Sequence, residues 1–163
     1  MSIEQGFKEM EAIVKKYKTD YGITLESPPR SFQELHGEFV EIDGNRRIKV
    51  RFPFDERFTN PMGIFQGGML CAAIDNAFGP LSYLVLKRPS VTLDLSTQFI
   101  RSFSAKDEFI EVEARVISIS SATLVMQAEV RNARKKLIAT ATTTFLILPE
   151  RSLAQMFPKQ KDE

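Results

Sequence analysis

The sequence predicts an α+β protein: a curved antiparallel sheet of about five to six strands wrapped around one long central helix, with an extra helix at the N-terminus. Three observations lead there. Met69–Leu86 is one continuous apolar run, the only segment able to form a fully buried helix. Behind it lie four segments whose apolar residues alternate, the period of strands with one buried face. Ahead of it, the first residues carry their apolar side chains at helical spacing. One apolar helix for some six strands leaves a sheet curled around that helix as the economical way to bury both.

Taken in order, Ile3, Phe7, Met10, Ile13, Val14 and Tyr17 make residues 3–18 an amphipathic helix. A linker follows, ending in Pro28-Pro29. Ser31 and Glu34 have the spacing of a capping box for a short helix over 31–36, closed by Gly37, with His36 at its C-terminal end. Residues 38–42 and 46–52 flank Asp43-Gly44-Asn45 and predict a hairpin. Residues 53–61 form a turn-rich connection into the long helix. Gly79-Pro80 interrupts that helix's pattern, which resumes at Leu81, so a bent continuation is expected. Strands are then predicted over 90–101, 108–119, 123–131 and 136–148. In the first, Val91, Leu93, Leu95 and Phe99 alternate with a polar set of Thr92, Asp94, Ser96 and Gln98. The connections between these strands are short, which predicts antiparallel neighbours. The last six residues are mostly charged and are expected to fray.

Composition narrows the function classes. The 163 residues, 43% of them hydrophobic, suffice for one domain with a proper core. Twenty-two basic and 21 acidic residues leave a net charge of +1, which points to neither nucleic acid nor an anionic membrane as partner. Met69–Leu86 is long enough to span a bilayer, but Asp75, Asn76 and Gly79-Pro80 within it argue against that use. The N-terminus lacks the basic and apolar regions of a signal peptide. The single cysteine, Cys71, suits a reducing compartment, and a cytoplasmic location is expected. One cysteine and one histidine, His36, do not make a zinc site of the usual kind, so neither metal nor cofactor is expected.

The chemistry is concentrated around the apolar run. Gly67-Gly68 precedes it directly, and glycines at a helix start let a substrate approach the free backbone N–H groups there. Asp75 is the run's one acid, and burial tends to raise a carboxyl pKa. Together these suggest a carbonyl oxygen held at the helix start, with an acid two to three turns further along. A core helix with one polar residue at a subunit contact gives the same pattern, and the residues alone leave both readings open.

Asn60-Pro-Met-Gly63-Ile-Phe-Gln66-Gly67-Gly68, then Asp75-Asn76, then Val91-Thr92-Leu93-Asp94 resembles the PaaI-type acyl-CoA thioesterases of the hotdog superfamily, over about residues 35–148. The resemblance implies a hydrolase cleaving aryl or medium-chain acyl-CoA. Asp75 matches the family's general base or nucleophile. Gly67 matches the residue whose N–H polarises the thioester carbonyl. Asn60 matches an asparagine that positions the water or the acid, and Thr92 a hydroxyl near the attacking water. Gln66 departs from the pattern, since the family commonly has histidine there; glutamine donates a hydrogen bond but does not titrate.

Gly68 and Phe65 are implied in substrate binding, with Phe78, Tyr83 and Met69 as further candidates for the pocket lining. Arg101, with Lys87 and Arg88, is a candidate for the CoA phosphates. The family site draws on two subunits, so a homodimer or homotetramer is implied. The expected division is an N-terminal helical extension over 1–36, a hotdog thioesterase domain over 37–149 and a C-terminal tail over 150–163. Two rival readings are a non-catalytic acyl-CoA-binding hotdog module and a dehydratase, the latter disfavoured by the lack of any histidine after His36. Asn60 before Pro61 could also simply begin a turn, and Thr92 could be an ordinary strand residue.

Overall fold

The structure, a computed structural model, describes residues 1–44, 46–149 and 152–153. The predicted frayed end therefore falls outside the described residues. Helix α1 (Ile3–Tyr21) begins with a capping box between Ser2 and Gln5 and ends at Gly22, which takes the left-handed conformation at φ 70°. It runs one turn beyond the apolar periodicity. Helix α2 (Arg30–Glu34) differs from expectation. Pro29 is its N-cap, and Ser31 is not capping at all. Ser31 instead donates to Asn76 on the central helix at 3.0 Å, a tertiary contact that outcompetes the local one. His36 follows with φ 52°, outside the helix and exposed.

Strands β1 (Glu38–Asp43) and β2 (Arg47–Pro53) form the predicted hairpin. Helix α3 (Gly67–Leu86) is the central helix and runs through Pro80 without a break. It packs against β2 and the four later strands, so its apolar length fills the core. Strands β3 (Ser90–Phe99), β4 (Phe109–Ile119), β5 (Thr123–Asn132) and β6 (Leu137–Ile147) complete one antiparallel sheet of order β1-β2-β4-β5-β6-β3. A six-stranded sheet around one helix, with an added N-terminal helix, is the hotdog architecture that the resemblance implies.

One expected adjacency does not hold. The short connection after β3 does not make it the neighbour of β4, because β4 pairs with β2 and β5, and β3 pairs with β6 at the sheet's edge. The connecting segment crosses beneath the start of α3. Its Phe103 is buried in the core, and its backbone bonds to β6 at one side and to Phe65 at the other. The sheet's curvature brings its distant strand ends within reach of so short a segment.

The alternation in β3 is also not continuous. Its pairing with β6 slips between Thr92 and Asp94, leaving Leu93 as an extra, bulged residue. Thr92 pairs with the buried Phe145, while Asp94 pairs with Thr144 and Leu95 with the buried Thr143. Directly paired residues share a face. Thr92 therefore faces α3 together with Leu95, Thr97 and Phe99, and it does not share a face with Asp94, Ser96 and Gln98.

Candidate active site

The approach to α3 is firmly held. Phe65 is buried among Phe54, Phe58 and Phe103, and its N–H donates to the Phe103 carbonyl at 2.9 Å. The Gln66 N–H donates to the Phe58 carbonyl, and the first bond of the helix runs from the Leu70 N–H to the Gln66 carbonyl. The N–H groups of Gly67, Gly68 and Met69 therefore precede the helical ladder, and none has a partner among the described residues. The Gln66 side chain is exposed and does not cap them. Gly67 opens onto a cavity of about 320 Å³ lined by Phe65, Leu70, Phe99 and Arg101. A Cβ added at Gly67 would lie 3.2 Å from the ring of the exposed Phe99, so a side chain there needs that ring to shift slightly. Gly68, at the surface, has open space around it.

Asp75 stands eight residues further along the same helix, about 12 Å at 1.5 Å per residue. It lies half-buried and lines a second cavity of about 280 Å³. The Thr92 hydroxyl donates to its Oδ1 at 3.1 Å. Burial pushes the Asp75 carboxyl above its usual range, and the Thr92 bond only partly offsets this. The bulge at Leu93 is what turns Thr92 toward the helix to make that bond. The rest of this cavity combines apolar walls from Met10 and Val14 of α1, Leu25 and Pro29 of the linker and Pro80 and Tyr83 of α3 with the polar Glu26, Ser27, Ser31 and Asn76.

The structure thus brings Thr92 to Asp75 and sets Asn60, Gln66, Gly67 and Gly68 together at the helix start, but it keeps the two groups apart within one chain. Asn60 organises its own loop, its Oδ1 accepting from the Met62 N–H at 2.9 Å and the Ile64 N–H at 3.2 Å. Arg101 holds the end of the sheet by donating to the Leu137 carbonyl at 2.8 Å. Lys87 is paired with Glu9 of α1. Phe78 is fully buried in the core and lines neither cavity, whereas Tyr83 does line one. Cys71 donates to the Thr97 hydroxyl on β3. Among the described residues, no group of three or more His, Cys, Asp or Glu could hold a metal ion. The contribution of Met10, Val14 and Leu25 to the Asp75 cavity left no mark in the sequence, where Met10 and Val14 read only as apolar positions of the first helix and Leu25 as part of the linker.

The sequence model of the thioesterase superfamily matches residues 62–139. A Saccharolobus solfataricus protein, provisionally named an esterase, is 28% identical over 148 residues, covering 90% of this chain and 95% of its own. A Ralstonia eutropha protein related to phenylacetic acid degradation, provisionally named a thioesterase, has a structure 26% identical at a TM-score of 0.69. The match covers 75% of this chain and 92% of that one. The Escherichia coli PaaI protein of the phenylacetic acid degradation operon is 15% identical and shares the fold, with a TM-score of 0.72 over 90% of this chain and 95% of its own. The six-stranded sheet curled around a glycine-started core helix is the hotdog fold of these relatives, and residues 62–139 resemble the thioesterase superfamily.

Proposed function

We propose that the protein hydrolyses acyl-CoA thioesters, aryl or medium-chain, at a site built from two chains. One observation carries this reading. The half-buried acid Asp75 and the unpartnered N–H of Gly67 lie on one helix, about 12 Å apart along its axis, and line separate cavities. A carbonyl polarised at Gly67 therefore needs its acid from another copy. In the same structure β3 is an open sheet edge with Val91, Leu93 and Phe99 exposed, and Ile100 exposed just after it. Pairing this edge with a second copy would cover it.

The thioester oxygen gains negative charge as a nucleophile adds to its carbonyl carbon. The Gly67 N–H, at the positive end of α3, stabilises that charge. Asp75 removes a proton from the attacking water, or attacks the carbon itself to give an anhydride that water then opens. The thiolate leaves, taking up a proton from solvent. Thr92 orients the Asp75 carboxylate through Oδ1. Asn60 acts through the loop it braces, and Gln66 assists as an exposed donor. Phe65 supports the Gly67 cavity, Gly68 lies beside the thioester at the helix start, and Arg101 is placed to meet the CoA phosphates. The reading includes a cytoplasmic homodimer or homotetramer and an N-terminal extension over 1–36 ahead of the thioesterase domain.

Complementation tests the two-chain site. Gly67 is the first residue of α3, where proline keeps the helix but removes the N–H. Gly67→Pro and Asp75→Asn chains should each be inactive as purified, with activity returning when the two are co-assembled. Thiol release from a series of acyl-CoA substrates is the assay. Activity from a species that light scattering shows to be monomeric would overturn the reading.

A further inference from the structure

Five residues of α3 line the Asp75 cavity, and three of them, Asp75, Gly79 and Tyr83, stand at helical i, i+4 and i+8 positions. Such residues stack along one face. The middle one is a glycine in the interior of a helix, which is unfavourable by about 1 kcal/mol relative to alanine. Its φ is not positive, but it is helical directly before Pro80, where a Cβ would crowd the proline ring, so glycine also serves the helix. Beyond its chain neighbours and its own helix, a Cβ added there would meet nothing within 4 Å. The space left by the missing side chain is part of the cavity itself. Opposite this stripe stand Met10 and Val14 of α1 and Leu25 of the linker, all from the N-terminal segment. The cavity's volume of about 280 Å³ lies near the low end for small-molecule sites, roughly 300–1,000 Å³.

We propose that this cavity is the acyl pocket, that Gly79 keeps it open between Asp75 and Tyr83, and that Met10, Val14 and Leu25 of the N-terminal segment set the length of acyl group accepted. The proposal rests on the hydrolase reading above, since it places the scissile carbonyl beside Asp75 and the apolar acyl group beyond it. Gly79 is a specificity residue in this account, with no part in bond making. The pocket takes an aryl or medium-chain acyl group lying along α3 over Gly79, with the Tyr83 ring at its far end.

The experiment compares kcat/KM for a series of straight-chain acyl-CoA substrates, from acetyl to dodecanoyl, and for phenylacetyl-CoA. Gly79→Leu places a side chain in the cavity, and its higher helix propensity partly offsets its crowding against Pro80. It should lower the ratio of octanoyl to acetyl kcat/KM by on the order of 10-fold or more, the scale of methylene discrimination in an apolar pocket. Val14→Phe fills the same space from the opposite wall and should shift the profile the same way. Leu25→Ala should shift it toward longer chains. If Gly79→Leu fails to fold, Val14→Phe and Leu25→Ala carry the test between them. A uniform change across all lengths, or none, in the folded variants would overturn the proposal. Calorimetry with non-hydrolysable acyl-CoA thioethers separates this outcome from failure of the hydrolase reading. If the wild-type protein hydrolyses nothing, but the variants still shift the preferred thioether length, the pocket stands and the hydrolase reading falls. Wild-type protein that neither hydrolyses nor binds any of the series would overturn both.

Discussion

Two carboxylates withdrawn from water, Asp75 and Asp107, have opposite surroundings. Asp107 is almost fully buried and completely satisfied. Its Oδ2 accepts from the Ser104 N–H and hydroxyl at 2.9 and 3.1 Å, and its Oδ1 from Asn132 and Arg134 at 2.7 and 2.8 Å. Burial alone would raise its pKa, but these donors outweigh it and hold the group below the usual carboxylate range. Asp75 is less buried yet receives only the Thr92 bond, and burial wins. A satisfied carboxylate ties the β3–β4 connection to the end of β5. One left with a free oxygen facing a cavity retains the capacity to take a proton or attack a carbon.

The sharpest way to break this contrast is removal of the proposed reacting groups. Gly67→Pro should reduce thioester hydrolysis by ~10²–10³-fold, the scale of losing one oxyanion donor, while Gly67→Ala, which keeps the N–H, should lose far less. Asp75→Asn should lower turnover by at least ~10²-fold, typical of a general base. Its melting temperature at pH 8 should match or exceed the wild-type value, because the amide removes a charge that burial disfavours.

Asp107→Asn should do the reverse, keeping the chemistry of each intact site while lowering stability by about 1–3 kcal/mol, since a charged acceptor is replaced by a neutral one among its donors. Acid should separate the two in the same way. A depressed pKa contributes stability above its unfolded value, about 3.8 for aspartate, and loses it as pH falls through the folded one. A raised pKa works oppositely, so ionisation of Asp75 costs stability as pH rises through its folded value. The acid limb of kcat/KM should therefore lie above 3.8 and vanish with Asp75.

Thr92→Val should sharpen the picture with a smaller effect. Removing the one bond that favours the charged form should move that limb to higher pH, with a rate loss at pH 8 of about 3–10-fold. Gln66→Ala is expected to cost the least, no more than a modest hydrogen bond, about 5–30-fold at the upper limit. Its side chain is exposed and does not cap the helix, whereas the Gly67 N–H remains. Loss of all hydrolysis in Gln66→Ala would make a side-chain amide the principal donor at the carbonyl.

By itself the sequence determined the central helix, the hairpin, the strands over 109–147 and the glycine start of α3. Each follows from a local rule, an apolar run, a period-2 alternation or a turn residue. It also marked Asp75 as out of place, because one acid in such a run is costly. The tertiary structure alone decided the rest. Thr92 turned toward Asp75 because the sheet inserts Leu93 as a bulge, and no periodicity reports a slip in pairing between strands 50 residues apart. Ser31 left its cap for Asn76, a contact across 45 residues. The β3–β4 connection crossed the sheet because curvature, which has no local signature, brought distant strand ends close. Asp75 and Gly67 point to separate cavities because eight residues of helix fix about 12 Å between them. Long-range geometry overrides local preference wherever a bond or buried side chain outweighs the small energies of capping and propensity.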